Sequence, residues 1–218
     1  MLVAAGQGTR LGASQPKAFV RVAGTTLIEH AVARAFEATS TAQIVIVAPA
    51  SHLEEAGALV SAHPRAGDVT VVAGGAERTH SVAAGLAALA EDVDVVLVHD
   101  AARCLAPGEL FDRLVAAVRD GAEAAVPGIA VTDTIKQVDS TGHVVATPER
   151  ATLRAVQTPQ AFRRSVLVAA HESGVEATDD AALVERVGGA VLVVEGDDLA
   201  FKVTTRADLE RAARILGT

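Results

Sequence analysis

The sequence has little from which a disulfide framework, a membrane anchor or a nucleic-acid surface could be built. Its 218 residues include one cysteine, Cys104, so no internal disulfide can form. No apolar run reaches the roughly 18 residues that span a bilayer, and the N-terminal apolar stretch is too short for a signal peptide. Lys and Arg number 19 against 27 Asp and Glu, a net charge of −8, which disfavours binding to a phosphate backbone. We therefore expect a cytoplasmic protein with no nucleic-acid and no membrane partner.

Aromatic residues are also scarce, since the chain has five Phe and neither Trp nor Tyr. Half of the residues are nevertheless apolar, mostly Ala, Val and Leu. A core must therefore be built from small aliphatic side chains on strands and helices. With no repeat and no low-complexity linker, residues 1–218 are predicted to form a single domain.

Strand and helix patterns alternate along the first part of the chain, which predicts an α/β fold with parallel strands joined by helical crossovers. Short Val-rich runs predict strands at 2–5, 43–48, 69–73, 94–99 and 123–127. Apolar stripes predict helices at 26–38, 78–90 and 107–119. Farther along, helices are expected near 164–172 and 179–187, strands at 190–195 and 201–204, and a last helix from Arg206.

The alternation breaks after residue 127. Residues 131–138 alternate apolar and polar side chains, residues 139–142 read Asp-Ser-Thr-Gly, and 143–146 resume the strand pattern. This predicts a β-hairpin. One face of an inserted hairpin needs an apolar partner beyond the main sheet, so we expect a β-arm over about 131–150 that reaches a second subunit of a homodimer.

The first turn of the chain has the composition of a phosphate-binding loop. Gly6, Gly8 and Gly12 follow an apolar strand end, and Arg10 and Lys17 add two cations. Small residues let backbone N–H groups turn toward an anion. The spacing matches neither the Gly-Lys-Ser/Thr loop of nucleotide hydrolases nor the dinucleotide fingerprint, whose third glycine would fall one position earlier. The glycines alone could form an ordinary tight turn, whereas the two cations favour a nucleoside triphosphate site.

Other polar residues follow predicted strands, where ligands bind in open α/β sheets. Gly74 and Gly75 could lie against a flat base whose edge Ser81 binds, or could simply connect a strand to a helix. Asp100 is the candidate ligand for Mg²⁺, which prefers one or two carboxylates together with phosphate oxygens. Its alternative roles are a helix N-cap or an ion pair with Arg103.

Three other residue types lead to less specific interpretations. His99 directly precedes Asp100, so it points to the opposite face of the strand and is interpreted as a buried structural residue. The seven histidines and Cys104 show no zinc-ligand spacing. Cys104 is interpreted as a small buried hydrophobe, and Arg150 and Lys202, taken singly, are each typical of solvated surface charges.

Several motifs occur in a fixed order over essentially the whole chain: AAGQGTRLG with PK, GGAERTHSV, HDAAR, TDTIK, TPQAF, TDDAALVE and FKVTT. Together they closely resemble the 2-C-methyl-D-erythritol 4-phosphate cytidylyltransferase family. The resemblance implies a Rossmann-like nucleotidyltransferase fold, a homodimer that shares its β-arm, Mg²⁺ as cofactor, and CTP and methylerythritol phosphate as substrates.

The resemblance also implies a role for each matched residue. Arg10 and Lys17 would stabilise the transition state, and Asp100 would hold the metal. The nucleotide would be bound by Ala4, Ala5, Gly6, Gly8, Lys17, Gly75, Ser81, Asp100 and Ala101. The methylerythritol phosphate would be positioned by Arg103, Thr134, Arg150, Thr158 and Lys202, with Thr134 and Arg150 reaching the neighbouring subunit's site.

The chain departs from the family's usual pattern at Val3, Ala76, Cys104 and 198–201. Alternative functions are a ribitol 5-phosphate cytidylyltransferase, a uridylyl- or guanylyltransferase, and a nucleotide-binding protein without turnover. The HDAAR motif favours the methylerythritol enzyme over the ribitol enzyme, whose corresponding motif tends to read HDSVR.

Overall fold

The computed structural model describes residues 1–6, 11, 15–75, 77–175 and 177–217. The strands in this part of the chain are β1 (Leu2–Val3), β2 (Arg21–Val22), β3 (Thr25–Thr26), β4 (Ile44–Ala48), β5 (Val69–Ala73), β6 (Val95–Asp100), β7 (Ala124–Ala130), β8 (Gln137–Val138), β9 (Val144–Ala146), β10 (Arg154–Val156), β11 (Gln160–Arg163) and β12 (Val191–Glu195). The α-helices are α1 (Leu27–Glu37), α2 (Leu53–Val60), α3 (Arg78–Ala87), α4 (Gly108–Arg119), α5 (Arg164–Glu172), α6 (Asp180–Arg186) and α7 (Arg206–Ile215).

Eight of these strands form the central sheet, in the order β10-β7-β11-β6-β1-β4-β5, with β12 paired to β7. The pairs β1–β4, β1–β6, β4–β5 and β7–β12 are parallel. Strand β11 lies antiparallel between β6 and β7, and β10 also pairs antiparallel with β7. The predicted α/β class with a mostly parallel sheet is confirmed.

Helices cover both faces of the sheet because its central strands are apolar on both sides. In β4, Ile44, Ile46 and Ala48 belong to a core cluster with side chains of α1, α2, α4 and α7. The alternate residues Val45 and Val47 pack in a second cluster with α3, α5 and α6. A continuous Ile/Val/Ala run is what a strand buried on two faces requires.

Helix α1 begins where the sequence supplies a complete cap. The Thr26 hydroxyl accepts a hydrogen bond from the Glu29 N–H, and the Glu29 carboxylate accepts one from the Thr26 N–H, at 3.3 and 2.9 Å. This reciprocal pair satisfies two N–H groups that the helix itself cannot bond.

The structure corrects the prediction of a strand at 201–204. A short 3-10 helix forms at Asp198–Ala200, and the following residues run outside the sheet. The N–H of Val203 donates to the carbonyl of Ala102 at 2.8 Å, so this segment is tied to the loop after β6 instead of to a strand ladder. Helix α2 was not predicted, and β6 and β7 end at Asp100 and Ala130, later than expected.

The predicted hairpin is confirmed, since β8 and β9 pair antiparallel around the turn at 139–142. We call residues 131–150 the arm. Among the described residues, none of the helices combines the length and the apolar character needed to cross a membrane.

Candidate active site

Two loops meet at the edge of the sheet where the parallel strands end. Gly74 follows β5, and its N–H donates to the Ala48 carbonyl at the end of β4, at 2.8 Å. A Cβ added at Gly74 would lie 2.8 Å from the Ala5 Cβ and 2.9 Å from the Ser81 Oγ. Glycine is therefore required here, because the chain after β1 approaches the chain after β5 too closely for a side chain. The structure thus brings Ala5, which follows β1, against Gly74, which follows β5.

Ser81 fixes the conformation of the chain after β5. Its hydroxyl accepts a hydrogen bond from the Gly75 N–H at 3.2 Å and donates to the Glu77 carbonyl at 3.1 Å. Ser81 is 2% exposed, and a side chain at Gly75 would collide with the Cβ of His80. The hydroxyl therefore closes a turn, and its contact with a base edge stays a prediction.

Asp100 ends β6 and is surrounded by cations. Its Oδ2 lies 2.6 Å from Lys202 Nζ and 4.0 Å from Arg103 Nε. Burial alone would raise the pKa of Asp100, but the ion pair with Lys202 and the nearby Arg78 and Arg103 charges hold that pKa below its ordinary value. Asp100 is therefore an ionised carboxylate with Lys202 as its main partner.

Lys202 reaches Asp100 because the chain before and after it is tied to the loop following β6. The Val203 N–H bonds to the Ala102 carbonyl, and Arg103 Nη1 donates to the Ala200 carbonyl at 2.7 Å. Arg103 thus has a defined position, with its side chain 14% exposed. Sequence reasoning placed Arg103 and Lys202 in one site only through the family resemblance, and the structure gives the physical connection.

Thr158 supports Asp100 from beneath. Its Oγ1 accepts a hydrogen bond from the Asp100 N–H at 3.0 Å and lies 3.0 Å from His99 Nδ1. His99 Nε2 is buried and has no hydrogen-bond partner among the described residues, so a neutral ring that donates from Nδ1 to Thr158 Oγ1 leaves no ring N–H unpaired. Burial lowers the pKa of His99 to about 3, and its ring packs edge-on against Phe111. The buried structural role predicted for His99 is confirmed, whereas contact between Thr158 and substrate stays a prediction.

Two predicted nucleotide-binding residues have buried side chains. Ala4 and Ala101 are 2% and 1% exposed. The Ala4 N–H donates to the Val47 carbonyl and the Ala101 N–H to the Val3 carbonyl, at 2.8 and 3.2 Å. They hold the ends of β1 and β6 in register.

The cationic loop is described only in part. Lys17 begins a short 3-10 helix, Lys17–Phe19, whose Phe19 is buried, and Gly6 is exposed. Gly8, Arg10 and Ala76 lie outside the described residues.

Cys104 is 1% exposed and burial raises the pKa of its thiol to about 12, so its predicted role as a small buried hydrophobe is confirmed.

Thr134 and Arg150 are exposed on the arm. Arg150 Nη1 donates to the Thr132 carbonyl at 2.7 Å, which joins the two ends of the arm. In the described part of the chain, no hydrogen bond or ion pair connects either residue to Asp100 or Lys202. Their predicted contact with the acceptor substrate stays a prediction.

The donor set at Asp100 fits a hard divalent cation. Its carboxylate is ionised and stands at the sheet edge beside the glycine loops. Among the described residues, no group of three or more His, Cys, Asp or Glu is arranged around a common metal position. An ionised carboxylate is the protein ligand that hard divalent cations prefer, with phosphate oxygens and water completing the shell.

Comparison with known proteins gives one consistent result. The family model for 2-C-methyl-D-erythritol 4-phosphate cytidylyltransferase matches residues 1–218. The protein of that name from Nocardia farcinica is 51% identical over 216 residues, covering 99% of this chain and 92% of the relative. The bifunctional enzyme IspD/IspF of Clavibacter michiganensis is also 51% identical and covers 99% of this chain, but the chain spans only 53% of that relative.

A solved structure supports the same assignment. The 4-diphosphocytidyl-2C-methyl-D-erythritol synthase of Anaerococcus prevotii superposes with a TM-score of 0.87 at 28% identity, covering 100% of this chain and 96% of the other. The match of the family model over all 218 residues, together with these relatives, shows that the chain belongs to the 2-C-methyl-D-erythritol 4-phosphate cytidylyltransferase family.

Proposed function

We propose that this protein transfers the cytidylyl group of CTP to 2-C-methyl-D-erythritol 4-phosphate, with the site residues acting as follows. A phosphate oxygen of the acceptor attacks the α-phosphorus of CTP, and the bond from that phosphorus to the oxygen it shares with the β-phosphorus breaks. The products are 4-diphosphocytidyl-2-C-methyl-D-erythritol and pyrophosphate. The observation that carries this proposal is the Asp100 carboxylate with its cations, placed beside two glycine loops at one sheet edge.

The reaction needs no general base from the protein. A phosphate monoester loses its second proton with a pKa of about 6, so the attacking oxygen is already largely ionised at neutral pH. The obstacle is repulsion between two anions, which fixed cations relieve. This explains why the site offers Lys17, Arg103 and Lys202 and keeps its histidine, His99, buried and neutral.

We assign the nucleotide to the loops after β1 and β5. Ala4, Ala5, Gly6 and Gly8 supply backbone groups to the triphosphate, Arg10 and Lys17 neutralise it, and Gly75 and Ser81 shape the cytosine pocket. Asp100 and Ala101 lie beneath the nucleotide, while Arg103, Lys202 and Thr158 face the acceptor side. The close approach of Ala5 to Gly74 supports this arrangement.

We assign Mg²⁺ to Asp100, in agreement with the fit of its carboxylate. When bound, the ion neutralises phosphate charge and aligns the triphosphate. The chain's own contribution is to hold Asp100 through Thr158 and to keep cations on its other sides.

We also propose a homodimer formed through the arm. Val138, Val144 and Val145 are 53%, 58% and 58% exposed, and Ile135 is 39% exposed. Hydrophobic side chains clustered on one hairpin are typical of an interface. A second copy of the chain would cover them, and Thr134 and Arg150 would then reach that copy's acceptor site.

Pyrophosphate release with CTP and Mg²⁺ tests the function. We expect release with methylerythritol phosphate, and none above background with ribitol 5-phosphate, UTP or GTP. Faster release with ribitol 5-phosphate would reassign the acceptor. Nucleotide binding without release for either acceptor would make the chain a binding protein.

A further inference from the structure

A buried ion pair links the nucleotide side of the site to a distant helix. Arg78 is the first residue of α3, three positions after Gly75, and Asp180 is the first residue of α6. Arg78 Nη2 lies 2.6 Å from Asp180 Oδ2. The side chain of Asp180 is 1% exposed and that of Arg78 is 34% exposed, so the carboxylate belongs to the protein interior and the guanidinium to the surface of the site.

The other carboxylate oxygen of Asp180 is held by His171 of α5. The ring Nε2 lies 3.0 Å from Asp180 Oδ1, while the buried Nδ1 has no partner in the described part of the chain. Nε2 is therefore the hydrogen-bond donor to the Asp180 carboxylate. Burial alone would raise the pKa of Asp180, but the His171 hydrogen bond and the Arg78 charge hold it below its ordinary value. Asp180 is thus ionised, hydrogen-bonded through Oδ1 to His171 and ion-paired through Oδ2 with Arg78.

The turn that carries Asp180 is hydrogen-bonded to the chain that follows Thr158. Gln160 of β11 donates from Nε2 to Asp179 Oδ2 at 2.8 Å, and its Oε1 accepts from the Ala181 N–H at 3.3 Å. Gln160 is two positions after Thr158, which holds Asp100. The short segment 158–160 therefore contacts both Asp100, through Thr158, and the turn that carries Asp180, through Gln160.

Arg78 is also electrostatically coupled to Asp100. Its charge lowers the pKa of Asp100, and Asp100 in turn raises the pKa of Arg78. Arg78 is thus ion-paired with Asp180 and within electrostatic range of Asp100, while Ser81 in the next turn of α3 accepts a hydrogen bond from the Gly75 N–H.

We propose that Asp180 and His171 are positioning residues for the nucleotide, acting through Arg78 to fix the start of α3 and the Gly75 turn against the site. This inference takes CTP as the nucleotide from the proposed function. The motif TDDAALVE contains Asp180, and nothing in its local sequence indicates that its partner lies about a hundred positions earlier.

The test is CTP binding by calorimetry with Mg²⁺ and without acceptor, alongside steady-state kinetics. Asp180→Ala should raise the Kd for CTP about ten-fold, the order expected for losing a charge-assisted contact, and leave the KM for methylerythritol phosphate within about two-fold. Leu183→Ala is the matched control, because it empties a buried position of the same helix without touching Arg78. Its Kd for CTP should stay at the wild-type value.

Two results would overturn the proposal: an unchanged Kd in Asp180→Ala, or an equal rise in Leu183→Ala. If Asp180→Ala does not fold, the double variant Arg78→Met/Asp180→Leu replaces the pair by apolar groups, an exchange that commonly preserves stability. The double variant should show the same loss of CTP affinity, and a wild-type Kd would refute the inference. A wild-type protein that binds CTP but transfers nothing would refute the proposed function and leave this comparison of Kd values intact.

Discussion

Replacing Lys202 should change metal binding and acceptor binding in opposite directions. In the present structure Lys202 neutralises Asp100 at 2.6 Å. If Asp100 holds Mg²⁺ and Lys202 holds the acceptor phosphate, the two side chains must release each other when both substrates bind. Lys202→Met removes the competing cation from Asp100 and also removes a phosphate ligand.

The size of each effect follows from exposure. A hydrogen bond to a charged group is worth about 1.5–3 kcal/mol when desolvated. Because the Lys202 side chain is 40% exposed, we discount the pair to about 1 kcal/mol. The affinity for Mn²⁺ in the presence of CTP should therefore rise about five-fold. The KM for methylerythritol phosphate should rise ten-fold or more, because the variant loses a charge-assisted contact worth about 1.5–3 kcal/mol.

Mn²⁺ titration followed by electron paramagnetic resonance measures the first effect, and initial rates measure the second. Arg214→Met is the control, since it removes an exposed charge from the last turn of α7. A Mn²⁺ affinity that is unchanged or lower in Lys202→Met would refute the reasoning, because Asp100 would then not exchange one cation for another.

Three further changes test other parts of the site. Lys17→Ala should lower kcat about 100-fold while changing CTP affinity far less, since a cation aimed at the transition state acts like an oxyanion donor; equal losses would mean that Lys17 only binds. Arg150→Ala should raise the KM for methylerythritol phosphate and leave the KM for CTP near wild type, and a change confined to CTP would reassign Arg150. Folded His99 has a pKa of about 3 against an ordinary 6.5, so the unfolded chain takes up a proton that the folded chain refuses. As the pH is lowered from 6 to 4, the free energy of unfolding should therefore decrease more steeply in wild type than in His99→Gln, by about 1.4 kcal/mol per pH unit. Denaturant titrations measure this slope, and equal slopes in the two proteins would contradict a buried neutral ring.

Local signals were sufficient for much of the fold. Helix α1 was predicted from its apolar stripe, and the β8–β9 hairpin because its turn sequence lies between an alternating run and a second strand pattern. Helix α2 was missed because it is short and no side chain caps its start. The segment at 201–204 looked like a strand because apolar and polar residues alternate in it, yet its backbone bonds to a loop.

Long-range pairings could not be predicted from the sequence in the same way. Nothing near residue 160 indicates that β11 lies antiparallel between β6 and β7, since that position depends on which sheet edge is free when the strand arrives. Strand alternation did place His99 and Asp100 on opposite faces of β6, and the role of Asp100 in the site stays a prediction. The partners of Asp100 and Asp180 come from distant segments, so only the folded chain identifies them.

The antiparallel insertion of β11 has a consequence for biosynthesis. A nascent chain that has left the ribosome only as far as β6 can already form the pairs β6–β1, β1–β4 and β4–β5. It has neither Thr158 to support Asp100 nor Lys202 to neutralise it. Until the last part of the polypeptide is translated, Asp100 therefore lacks its main ion-pair partner, and only the charges of Arg78 and Arg103 offset its own.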